Sequence, residues 1–124
     1  MNVVTQVFAL LAALIHIVVG VLERFFYGRP AVRVFLTTST ADAPEVTLWR
    51  SGVAVYNILL GLGLAAGTVA LHTGDEAAGR ALVLYLCGFL VVSAVVFALS
   101  FPRLWRGAVG QGLAPAVALV AALF

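Results

Sequence analysis

Residues 3–27, VVTQVFALLAALIHIVVGVLERFFY, form an apolar run long enough to cross a bilayer as one helix. At ~1.5 Å rise per residue it spans the ~30 Å hydrocarbon core. Two ionisable residues interrupt it: His16 near the midpoint and Glu23 two turns later. Residues seven apart share a helix face, so one stripe presents an imidazole and a carboxyl about 10 Å apart. Inside a membrane both groups are costly unless they face protein or a wet cavity.

Composition agrees with a membrane setting. The chain has 124 residues, 64% of them hydrophobic and 10% charged, with a mean hydropathy of +1.16. A soluble domain carries roughly 25% charged residues. The first apolar run lacks a basic leader and exceeds the ~7–15 residues of a signal-peptide core, so it reads as a retained helix. All seven basic residues are arginines scattered singly, which excludes a nucleic-acid patch. The single cysteine, Cys87, excludes intrachain disulfides and cysteine-built metal sites.

The remaining chain predicts three more helices, over about 48–72, 80–101 and 108–124. The expected fold is therefore all-α, one domain over 1–124, an integral membrane four-helix bundle. The long loop, 28–47, includes an apolar segment, Ala31–Leu36, suited to a short helical turn, and Thr47 is placed to cap the second helix. Gly63 and Gly67 make a GxxxG pair with Gly61 just before them, a small-residue pattern that admits a close neighbour. Pro115 removes one backbone hydrogen bond from the last helix and should bend it. Six arginines (24, 29, 33, 50, 103 and 106) fall at one end and only Arg80 at the other. That asymmetry predicts an arginine-rich cytoplasmic side and both termini on the non-cytoplasmic side. Tyr27, Trp49 and Trp105 sit at the same boundary, as an aromatic belt would.

Depth along the helices predicts two polar layers. Glu23, Gln111 and Arg50 form the outer one; His16 and Asn57 form the inner one, with Tyr56 beside them. In this reading Glu23 and His16 are catalytic, while Asn57, Gln111, Tyr56 and Arg50 bind substrate. Asn57 and Gln111 are neutral amides able to orient an oxygen or hold His16 in one tautomer. The competing reading is structural, with Glu23 snorkelling to the headgroups and the amides bonding between helices. No HExxH, Walker loop, GxSxG or paired-cysteine pattern occurs. Neither a metal site nor a cofactor is predicted.

Three segments carry a family resemblance: LIHIVVGVLERFF (14–26), YNILLGLGL (56–64) and QGLAPAVALVAALF (111–124). They resemble a family of small bacterial and fungal four-helix membrane proteins catalogued as a domain of unknown function. Tyr56 and Asn57 match its Asn-Gln-Gly-x-Tyr-Asn segment, but Gly52, Val53 and Ala54 stand where Asn, Gln and Gly are usual. The resemblance implies the fold and the Glu23, Asn57 and Gln111 set. It implies no activity.

A carboxyl and an imidazole in a dry pocket suit acid–base catalysis, which needs a donor, an acceptor and exclusion of water. The predicted function is a cofactor-independent isomerase or cyclase, epoxide opening included, acting on a lipophilic small molecule in the inner (plasma) membrane. Its partners would be that molecule and membrane lipids, with no nucleic acid and with homo-oligomerisation open to it. The alternatives are a small proton-coupled transporter and a structural or accessory membrane subunit.

Overall fold

The computed structural model describes residues 1–37 and 44–124, the side chains of 37 and 44–49 excepted. The described residues are helical and contain no strand. Helix α1 covers Val3–Val21 and runs on into a π-helical turn, Leu22–Phe26. Its start is fixed by Asn2, whose Oδ1 accepts from the Thr5 amide at 2.8 Å and the Thr5 hydroxyl at 2.9 Å. Short α2 covers Pro30–Thr37, slightly longer than the turn expected over Ala31–Leu36. Long α3 covers Pro44–Ala70, α4 covers Glu76–Ser100, and α5 covers Trp105–Ala121 after a 3₁₀ turn, Pro102–Leu104.

Three helix starts differ from the sequence reading; α5 begins at Trp105, three residues before the expected 108, directly after the 3₁₀ turn. Helix α3 begins at Pro44, where the missing proline N–H costs nothing in a first turn. Thr47 therefore lies inside the helix, not at its cap; its side chain, like that of Trp49, lies outside the described residues. Helix α4 begins at Glu76 because Asp75 caps it, accepting from the Ala78 amide at 3.1 Å. The connection before it turns at Gly74, whose φ of +109° suits a residue without Cβ.

The four long helices pack in a ring. Helix α1 lies between α3 and α5, α4 closes the opposite side, and α1 barely touches α4 across the diagonal. Val3–Phe26, Arg50–Ala70 and Glu76–Ser100 are each long and apolar enough to cross a membrane; α5, with 17 residues, sits at the short limit. The outer surface is apolar: Leu14, Leu59 and Val92 are all more than half exposed. Such a surface suits lipid, and in lipid the helices are held by close van der Waals packing.

Glycines create that closeness. A Cβ on Gly20 of α1 would come 2.6 Å from the Ala54 carbonyl of α3, and one on Gly61 would come 2.6 Å from the Ala13 carbonyl. The GxxxG pair faces elsewhere: Gly63 abuts Leu86 and Gly67 abuts Val83, both on α4. The buried apolar cluster, with Ala9, Ala13, Leu64, Val83, Leu90 and Ala118 among its members, fills the half of the bundle remote from Arg50. Cys87 is fully buried within it. Towards the arginine-bearing end the inward positions become small or polar: His16, Gly20, Ala54, Asn57, Ala108 and Gln111.

Candidate polar site at the α1–α3 junction

The site begins where α1 changes its winding. In the π-helical turn the hydrogen bonds span one residue more than in an α-helix, a departure that is often found at functional positions. Glu23 lies in this turn. It continues the inward stripe of His16 and Gly20, yet remains half-buried. On α3, Arg50 and Asn57 share the stripe of Ala54, Gly61 and Leu64, whose small or apolar side chains are buried against α1.

Asn57 donates from Nδ2 to Glu23 Oε2 at 2.9 Å. Arg50 does not pair with that carboxyl. Its Nη1 donates to the Glu23 main-chain carbonyl at 3.1 Å, and its guanidinium lies 3.9 Å from the centroid of the Tyr27 ring. Arg50 Nε is buried without a hydrogen-bond partner. Arg33 adds a second cap, donating to the carbonyls of Tyr27 at 3.0 Å and Gly28 at 2.9 Å. Two arginines thus satisfy carbonyls that the end of the first helix leaves free. Among the described residues Glu23 makes no ion pair, although Arg50 is its near neighbour.

His16 is 3% exposed. Its Nδ1 lies 2.8 Å from the Ala12 carbonyl, one turn back on its own helix. A carbonyl can only accept, so Nδ1 carries the proton and the neutral ring keeps its lone pair on Nε2. No hydrogen bond joins His16 to Asn57. Gln111 shares the inward stripe of Ala108, Pro115 and Ala118, is half-buried, and makes no side-chain hydrogen bond among the described residues. Pro115 also deprives the Gln111 main-chain carbonyl of its usual partner. Tyr56 is 65% exposed and stands off the inward stripe.

The structure therefore joins Glu23, Asn57 and Arg50 directly, and sets His16 two turns deeper on the same stripe. It does not link Gln111 or Tyr56 to them. Two residues escaped the sequence reading. Tyr27 is buried as the platform beneath Arg50 instead of facing lipid in a belt. Arg33 acts as a carbonyl cap, a role that a basic residue just past a helix end signals. No group of His, Cys, Asp and Glu suited to a metal occurs among the described residues. Two surface recesses lie elsewhere, one of about 340 Å³ beside Met1, Arg80 and Leu123, the other of about 410 Å³ along Tyr85, Phe89 and Val92.

The sequence model described as "Protein of unknown function (DUF1304)" matches residues 10–123, and the chain belongs to that family. The match takes in α3, α4, α5, all of α1 but its first seven residues, and each of the six candidate residues. No curated protein and no solved structure matches the chain.

Proposed function

We propose that this DUF1304 family member is a multi-pass inner-membrane protein that carries out acid–base chemistry on a lipophilic small molecule. The reaction class is isomerisation or cyclisation, epoxide opening included. One observation carries the reading: the Glu23 carboxyl is held by a neutral amide, Asn57, while the neighbouring Arg50 is engaged with main-chain carbonyl and Tyr27. The carboxyl is thus not locked in an ion pair with the guanidinium beside it. Leaving it without an ion pair keeps it available for proton transfer.

Glu23 delivers a proton to the substrate, and His16 Nε2 withdraws one, so the product has the composition of the substrate. Asn57 orients the carboxyl, and Gln111 offers a free amide to a substrate oxygen. Tyr56, exposed on the outer face of α3, would meet substrate only from outside the bundle. Arg50 fixes the π-helical turn that carries Glu23.

The test is incubation of the purified protein with a panel of polyenes and terpenoid epoxides, read by mass spectrometry and NMR. The expected result is a product of unchanged mass, absent with Glu23→Gln and with His16→Ala. Turnover that survives both substitutions overturns the assignment. Proton-coupled flux in proteoliposomes that Glu23→Gln abolishes, with no altered product, would replace it with transport.

A further inference from the structure

We infer that the arginine-bearing end of α1 and α2 is a binding surface for anionic phospholipid, with Arg24 and Arg29 gripping the headgroup phosphate. Of the four arginines on the first two helices and at the start of the third, two are occupied. Arg33 and Arg50 cap main-chain carbonyls. Arg24 and Arg29 are exposed, and among the described residues neither side chain makes a hydrogen bond or an ion pair.

Each lies against a phenylalanine ring instead, with Arg24 5.4 Å from the centroid of Phe25 and Arg29 5.2 Å from that of Phe26. A guanidinium laid near a ring gives up little of its hydrogen-bonding edge. The planar fork of N–H donors stays available for two phosphate oxygens. The rings are themselves uncovered, Phe25 at 69% and Phe26 at 38% exposure. Helix α2 adds Val34 and Phe35, exposed at 47% and 70%.

Charge complementarity and the apolar setting together select the partner. An inorganic anion would satisfy the two guanidinium groups but make no use of the three exposed phenylalanine rings beside them. A phospholipid at this boundary covers both: its phosphate meets Arg24 and Arg29, and its glycerol and upper acyl carbons meet Phe25, Phe26 and Phe35. Glu23, the nearest described carboxyl, is turned to Asn57 and does not compete. At the opposite end Arg80 stands without a second arginine, so the surface is confined to one leaflet.

The experiment uses the full chain in detergent with short-chain phosphatidylglycerol or phosphatidylcholine, bound lipid being counted by native mass spectrometry. Phosphatidylglycerol should be retained in preference, and the preference should fall as salt rises. Arg24→Gln and Arg29→Gln should each weaken phosphatidylglycerol binding about fivefold, and the pair together about 25-fold. Arg80→Gln should leave it unchanged, and each variant must retain the helical circular dichroism of the parent. Should the double variant be misfolded, Arg24→Lys with Arg29→Lys provides the second measurement: an intermediate loss is expected, because charge remains and the fork is lost. Equal retention of both lipids, undiminished binding by a folded double variant, or full displacement by millimolar inorganic phosphate would each overturn the inference.

Discussion

Asn57 and Glu23, 34 residues apart, are joined side chain to side chain at 2.9 Å, and this bond ties α3 to the π-helical turn of the first helix. The two ends of the bond are not equivalent. Removing the amide leaves a half-buried carboxyl without its donor, whereas replacing the carboxyl by an amide keeps an acceptor in place. Asn57→Ala should therefore destabilise the protein by about 1–3 kcal/mol, and Glu23→Gln by less than about 1 kcal/mol. Reversible unfolding in mixed micelles measures both. A Glu23→Gln variant as unstable as Asn57→Ala would mean that the charge itself holds the helices together.

Backbone contact between α1 and α3 makes a second prediction. At Gly20 and Gly61 an added methyl would strike a carbonyl of the facing helix at 2.6 Å, and backbone cannot swing aside as a side chain can. Gly20→Ala and Gly61→Ala should each cost about 1–3 kcal/mol through forced separation of the helices. Gly88→Ala and Gly110→Ala, where nothing lies within 4 Å, should be neutral or stabilising by up to ~1 kcal/mol from helix propensity. Thermal unfolding of the four variants side by side checks the contrast. Equal effects at all four positions would remove close approach as the cause.

Much of this architecture is legible in the chain because hydropathy alone sets the long helices of a membrane protein. The stripe that carries His16 and Glu23 follows from their spacing, and so does the stripe of Arg50 and Asn57. Asp75 is a residue type that caps helices, but hydropathy predicts the third long helix only from about 80 and passes over it. The π-helical turn was not readable: LERFF has the same hydrophobic pattern whether wound as α or π. Partner choice was also hidden. His16 sits at the depth of Asn57, but its ring finds the Ala12 carbonyl of its own helix, a bond set by rotamer and not by spacing. Arg50 was expected near Glu23 and is there, yet it takes the main-chain oxygen because the ring of Tyr27 fixes its plane.

The cap at Asp75 supports a third prediction, at the end of the bundle remote from the site. Its carboxylate accepts from the Ala78 amide and lies at the positive end of the α4 dipole. Asp75→Ala should lower stability by about 0.5–2 kcal/mol, while Asp75→Asn should recover most of it because the amide oxygen also caps. The measurement is again unfolding in micelles. Loss in both variants would assign the effect to charge on the connection and not to the cap.

The last prediction concerns which way the bundle faces. The structure puts the ends of α1 and α4 with the beginnings of α3 and α5, so Arg24, Arg29, Arg33, Arg50, Arg103 and Arg106 all lie at one end. Arginines near the ends of spans are retained on the cytoplasmic side during insertion, and acidic residues contribute little to that choice. Six against one predicts a single orientation, with Thr73 outside and Gly28 inside. Cys87 is completely buried, and replacing it by alanine gives a background free of thiols. On that background Thr73→Cys should react with a membrane-impermeant maleimide in intact cells. Gly28→Cys, at an exposed position with nothing within 4 Å of an added Cβ, should react only after the membrane is opened. The reverse pattern would place the arginines outside. Labelling of both sites in intact cells would show two orientations coexisting, and the surface inferred for anionic phospholipid would then face both leaflets.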